Sequence, residues 1–213
     1  MWALINSDNE IEEIIRFPRT LTIDNIKHPK TIFKTWTWEQ LNAIGIYEVV
    51  DSGSKGDDTF EYTSQPTYTF SSKNKNITTS YTITEKALDD SNAVDEDGNN
   101  ITDADGNQVI NYGLKTQAKI QVKQTANSLI SRFNWLVERS IYDSSKAIPS
   151  AVSTYVASIR TDCAEIETAI DDASNLNEFK ALYQDTYNDD GTVDTVARIN
   201  RWTNENTVKE YIR

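Results

Sequence analysis

One histidine and one cysteine are all that this chain of 213 residues offers to imidazole or thiolate chemistry. His28 stands before Pro29 in Ile26-Lys27-His28-Pro29-Lys30 and reads as a surface turn residue. Cys163 falls inside an apolar seam with no cationic neighbour in the sequence, which suits a small core residue better than a reactive thiol. Neither has the partners of a nucleophile and base, and no phosphate-binding glycine loop, dinucleotide fingerprint, helical histidine pair or serine elbow is present. A pair among the 33 carboxylates could serve glycoside hydrolysis only if an apolar pocket raised one pKa, and the carboxylates gather in turn-rich segments instead. The densest of these segments, 89–106, holds Asp89, Asp90, Asp95, Glu96, Asp97, Asp103 and Asp105 without a lysine or arginine. Its repeat Asp97-Gly98-Asn99 and Asp105-Gly106-Asn107 suggests either a calcium loop or tight turns. In a calcium-loop register Gly106 would place Ile101 and Tyr112 at the first and last ligand positions, and Gly98 would place Ala93 and Ala104 there. Turns are the expectation, with calcium as the alternative. No catalytic, cofactor-binding or metal-binding residue is assigned.

The elements that would carry any site come from a chain that is 38% hydrophobic but holds ten tyrosines, six phenylalanines and five tryptophans, enough to build modest cores. A formal charge of -12 disfavours nucleic acid and anionic membrane surfaces as partners. No apolar run approaches the ~20 residues needed to cross a bilayer, and no secretory leader pattern opens the sequence. The chain therefore reads as made in a cytoplasm, and one cysteine allows no internal disulfide.

Four segments are expected, in an α+β arrangement with an N-terminal β-rich module and antiparallel meander followed by a small C-terminal helical bundle. Residues 1–50 form the β-rich module, closed by a short helix at 37–44 with Thr37 as N-cap and Gly45 past its end. Residues 51–113 form the meander: a flexible loop at 51–58, then alternation through Phe60, Tyr62, Tyr68, Phe70, Ile77, Thr79, Tyr81 and Ile83, then the acidic turns. Residues 114–188 are helical, with one stripe through Leu129, Ile130, Phe133, Leu136, Val137 and Ile141. Pro149 opens a second helix whose seam runs Val152, Val156, Ile159, Cys163, Ile166, Ile170; such a seam must bury itself against another helix, in the same chain or a second copy. Asn175 and Glu178 mark a capping box for a third helix. Residues 189–213 form an amphipathic segment through Val193, Val196, Ile199, Trp202, Val208 and Ile212, broken near Asn204 to Asn206, either an arm for a partner or a helix that completes the core.

Several separated motifs carry a family resemblance. Met1-Trp2-Ala3-Leu4-Ile5, Glu13-Ile14-Ile15-Arg16-Phe17-Pro18-Arg19, His28-Pro29, Ile32-Phe33, Trp38 and Ala43-Ile44-Gly45-Ile46-Tyr47 resemble the opening module of tail proteins of marine bacteriophages. Asn127, Leu129, Trp135, Ile148-Pro149, Tyr155 and Arg160 resemble their tail assembly chaperone segment, and Tyr81 through Asp90 with the Asp-Gly-Asn turns is similar to the stretch between. The resemblance implies a non-enzymatic tail protein in the virion, made in the host cytoplasm, that adapts tail, baseplate or tail-fibre proteins to one another and forms a homo-oligomer. A transient assembly chaperone absent from the particle and a carbohydrate-binding receptor protein are the alternatives. Where members of the group end soon after a tryptophan-proline motif, this chain has 188–213 instead. Aromatics lose little side-chain entropy on binding, so Trp36, Trp38, Tyr68, Tyr81, Trp135 and Trp202 are the candidate partner contacts.

Overall fold

The computed structural model describes residues 1–212 and divides into two compact units, 1–85 and 86–213. The fold is α+β, with strand-rich sheets leading into helices. The division falls at 85/86 because strands from both sides of residue 50 share one sheet in the first unit, and because the acidic turns belong to the second.

In the first unit, β1 (Trp2–Ile5), β2 (Ile11–Ile15), β5 (Ile46–Val50), β7 (Thr67–Ser71) and β8 (Asn76–Ser80) form a sheet in the order β2-β1-β5-β8-β7. The expected meander is realised only in part. β7 and β8 pair antiparallel, but β8 lies parallel to β5, the long connection between them carrying the chain back to the same end. β6 (Glu61–Thr63) and β9 (Ile83–Glu85) pair separately, so the alternation breaks at Tyr81-Thr82. Edge strands β2 and β7 approach one another, curling the sheet around Ala3, Ile5, Val49 and Ile77. Its other face is covered by the hairpin β3 (Leu21–Ile23) and β4 (Ile26–His28) and by helices α1 (Ile32–Thr35) and α2 (Trp38–Asn42), around Leu4, Ile15, Leu21, Ile32, Leu41 and Ile46. Both faces of β1 are thus buried, which is why Ala3, Leu4 and Ile5 are all apolar.

Local chemistry sets the turns. Asp24 and Asn25 both take positive φ between β3 and β4, the backbone of a two-residue hairpin. Thr37 caps α2 in a full capping box with Gln40. Gly45, at φ +80°, follows, and an added Cβ there would lie 2.7 Å from the Ile5 carbonyl oxygen. The 51–58 segment, expected to lack anchors, is tied down through its backbone: the Ser52 N–H donates to Thr79 Oγ1 at 3.2 Å and the Gly56 N–H to Thr63 Oγ1 at 3.1 Å.

The second unit opens with three short hairpins meeting at one hub. β10 (Ser91–Asn92) and β11 (Ile110–Asn111) form the stem, and bridges Val94 to Asn100 and Thr102 to Gln108 form two loops. At the hub Ala93 N–H donates to the Val109 carbonyl (2.8 Å), Val109 N–H to that of Ile101 (2.9 Å) and Ile101 N–H to that of Ala93 (2.9 Å). The eight-residue spacing of these positions follows from the repeated Asp-Gly-Asn sequence. In each loop one carboxylate accepts two backbone N–H groups, Asp95 from Asp97 and Asn99, Asp103 from Asp105 and Asn107, and the glycine takes φ +83°.

Helix α3 (Leu114–Ser131) starts from this stem. Its first N–H groups reach the Ala87 and Leu88 carbonyls, while Asp90 accepts from Gly113 N–H at 2.8 Å and Thr116 Oγ1 at 2.9 Å. α3 buries Leu114, Ala118, Val122 and Ala126 against α5 (Ser150–Asp172). Lys119 pairs with Asp171 at 2.7 Å and Lys123 with Glu167 at 3.0 Å, early on one helix against late on the other, so the two run antiparallel. The α5 seam holds Val152, Ile159, Ile166 and Ile170 buried, with Tyr155 beside them and Val156 and Cys163 half-buried. Pro149 precedes the helix as its N-cap. α6 (Leu176–Ala181) is capped by Asn175, which accepts the Glu178 N–H at 3.0 Å, while the Glu178 carboxylate reaches Ser174 N–H at 2.8 Å.

Two helical expectations are corrected. The stripe through Val137 and Ile141 is not a core face, because the helix breaks at Arg132-Phe133 and α4 (Asn134–Tyr142) turns only Leu136 fully inward. The C-terminal segment is neither an arm nor an α-helix. It forms a hairpin of β12 (Thr186–Tyr187) and β13 (Val193–Thr195) and then three 3-10 turns that return to the helical core.

Candidate interaction surfaces

The six aromatics selected from sequence do not come together on one face. Trp36 packs into the core beneath the β3–β4 hairpin, its ring 5.6 Å from His28 at 81°. This also corrects the reading of His28, which is a buried residue of β4 rather than a surface turn residue. Trp38, two residues from Trp36 but on the first turn of α2, is exposed. Tyr68 packs against the curled sheet's interior beside Phe70. Tyr81 is half-buried, its hydroxyl donating to Asp51 at 3.3 Å and its ring lying 5.2 Å from the Lys55 ammonium. Asp51 is held below the usual carboxylate range, chiefly by the Thr79 hydroxyl that donates to it at 2.7 Å.

Trp135 and Trp202 meet the same core in the second unit, around Phe133, Leu136, Val152, Tyr155, Ile159 and Val208. The Trp135 indole N–H donates to the Tyr211 carbonyl at 3.0 Å, the Arg139 guanidinium lies 5.2 Å from its ring, and Arg132 pairs with Glu205 at 2.7 Å. These contacts hold the C-terminal turns in place. The two tryptophans are therefore bound up with their own chain, and only Trp38 of the six has an openly accessible ring.

The accessible apolar surface lies elsewhere. On α4, Ile141 is 74% exposed and Tyr142 91%, with Val137 one turn before them. Val137 also lines a groove of about 200 Å³ with Ile130, Phe133, Ile148, Val156 and Arg160. A second exposed set, Phe17 (79%) and Ile26 (61%), borders the β3–β4 hairpin. A third, Val94, Ile101, Val109, Ile110 and Tyr112, belongs to the hairpin junction. Of the first set, Val137 and Ile141 fall on the periodic stripe that the sequence marks as core; Phe17, before a proline, and Ile26, the first residue of β4, carry no periodic signal.

Burial pushes the Cys163 thiol above its ordinary pKa, Glu167 adding to the shift, so the thiolate is disfavoured. Among the described residues no three His, Cys, Asp or Glu side chains are grouped to hold a metal ion, and the Asp95 and Asp103 carboxylates are spent on their own turns. Backbone N–H donation, first from Asn99 and Asn107, holds both below the usual carboxylate range. No helix of the described residues is long and apolar enough to cross a membrane. No protein-family model, no curated protein and no solved structure matches the chain.

Proposed function

We propose that this chain is a non-enzymatic bacteriophage tail protein, incorporated in the virion as a homo-oligomeric adaptor between tail, baseplate or tail-fibre proteins. The tail assignment rests on the resemblance of its motifs. The adaptor role rests on one observation, the α4 surface: Ile141 and Tyr142 in water beside an apolar groove that Val137 shares. Three large apolar groups within two helical turns lose contact with water only when another protein covers them. Virion incorporation stands first because the resemblance includes the opening module of tail proteins as well as the helical segment.

The transient assembly chaperone is the second reading, and the return of the C-terminal turns to their own core favours it by removing a permanent docking arm. A sugar-binding receptor has less support, since Trp36 and Tyr68 pack into separate cores rather than forming a flat aromatic face. Mass spectrometry of purified particles, with peptides scaled to the major tube protein, separates the readings. A fixed copy number in multiples of a tail symmetry supports the adaptor. Absence from particles, with recovery on a fibre protein from infected cells, overturns virion incorporation and leaves the chaperone.

A further inference from the structure

The proposed self-association needs a surface, and the α5 seam cannot supply one because α3 of the same chain covers it. The charge distribution points to another. Although the chain carries -12 overall, residues 16–34 hold five cations (Arg16, Arg19, Lys27, Lys30 and Lys34) against one carboxylate, Asp24. All five are exposed, and among the described residues only Arg19 pairs with a carboxylate, that of Glu13. In the sequence they are interspersed with Phe17 and Ile26, whose side chains are both exposed.

The hairpin junction has the reverse composition. Residues 89–114 hold seven carboxylates and no cation, around Val94, Ile101, Val109, Ile110 and Tyr112, all left in water. The junction has almost no core of its own, Ala93 being the one buried apolar residue between 89 and 112. Asp89, Asp90, Asp95 and Asp103 are engaged within the unit by Lys115, Gly113 and the turn amides. Glu96, Asp97 and Asp105 have no ion-pair partner among the described residues.

We propose that copies of this chain associate head to tail, the basic face of residues 16–34 on one copy seating on the acidic hairpin junction of residues 89–113 on the next. A segment of exposed apolar side chains interspersed with cations meets one interspersed with carboxylates. The charges select and orient the encounter and the apolar side chains supply the contact. Because the two surfaces differ, the interface is heterologous and leaves one free surface of each kind, so assembly continues until a ring closes or a filament grows. The inference specifies the self-association included in the proposed function and does not depend on the tail assignment; particle composition and solution assembly can fail separately.

Sedimentation velocity on the full chain tests it. The sedimentation coefficient should rise with protein concentration at about 0.05 M salt and fall to that of a monomer at about 0.5 M, as the Debye length drops well below ~10 Å. Lys27→Gln/Lys30→Gln/Lys34→Gln and Glu96→Gln/Asp97→Asn/Asp105→Asn should each be monomeric alone while keeping the parent circular dichroism spectrum. Mixed in equal amounts, each variant supplies the surface the other has lost, and a dimer that does not grow should appear. A parent chain that is monomeric at every concentration and salt overturns the proposal even if a variant fails to fold. So does assembly that both variants leave intact, or a mixture that stays monomeric.

Discussion

Replacing Val208 by alanine separates a C-terminal segment that is part of the core from one that is merely nearby. Val208 is 0% exposed and sits in the cluster formed by Phe133, Leu136, Val152, Tyr155 and Ile159, with Trp202, Tyr211 and Ile212 packed around it. The change removes two methyl groups. At ~0.8 kcal/mol for each, transfer alone accounts for about 1.6 kcal/mol. The 3-10 turns around the site are pinned by the Trp135–Tyr211 hydrogen bond and the Arg132–Glu205 ion pair, so they collapse only in part. A residual cavity of roughly 40 Å³ adds about 1 kcal/mol. The expected loss is therefore ~2–3 kcal/mol. Urea unfolding followed by far-ultraviolet circular dichroism reads it, because the two long helices α3 and α5 both belong to this unit. A loss below about 0.5 kcal/mol, the range of an ordinary surface change, would refute the packing argument and restore the segment as a docking arm.

Three other outcomes follow from local geometry. Gly45→Ala should cost the first unit at least ~2 kcal/mol in urea unfolding followed by amide spectra of its sheet, since the residue takes φ +80° and the new Cβ would lie 2.7 Å from the Ile5 carbonyl oxygen; a neutral result would mean the turn relaxes freely. Asp90→Ala should cost the second unit ~1–2 kcal/mol, because its carboxylate caps Gly113 and Thr116 at the start of α3, and Asp90→Asn should recover part of that. In acid, the loops closed by Asp95 and Asp103 should keep their amide shifts through the ordinary aspartate range and lose them only below it. Their carboxyl pKa values are depressed in the folded chain, so the stabilisation is complete above the unfolded value and disappears as pH falls through the folded one. Amide spectra of Asn99 and Asn107 that change in the ordinary carboxyl range or above would contradict this.

What could be read in the sequence was whatever a few neighbouring residues decide. Thr37 and Asn175 cap helices because the N–H groups they accept lie three residues away, and the Asp-Gly-Asn turns close on their own carboxylates. The α5 seam was legible for a related reason: a long apolar stripe has to be covered, although its spacing does not say by what. The covering face of α3 escaped notice because it is built on Leu114, Ala118, Val122 and Ala126, mostly small residues that let the helices approach but give a weak apolar signal. Val137 and Ile141 misled because their spacing continues through a helix break that no proline or glycine announces. In the last segment the apolar spacing matched a helix, yet Asn204 accepts the Asn206 N–H at 2.8 Å and favours a tighter turn. For the aromatics, sequence could mark contact-forming side chains but not their direction: Trp36 and Trp38 have nearly the same neighbours, and one is packed while the other faces water.

These allocations bear on how the chain associates. Its longest apolar seam, two of its five tryptophans and its C-terminal turns are all used internally in the second unit, so none is free to hold a partner. The surfaces left over are short, one on helix α4 and the others on hairpins and turns, too small for strong association by apolar burial alone. Segregated charge compensates for that weakness. Spread evenly, 21 cations and 33 carboxylates would keep the chain equally soluble; gathering five cations in 16–34 and excluding them from 89–114 instead creates like-charge repulsion within each surface. Four of the seven junction carboxylates offset their share through structural contacts, but Glu96, Asp97 and Asp105 have none among the described residues. A surface of opposite charge relieves that repulsion, and the same chain carries one.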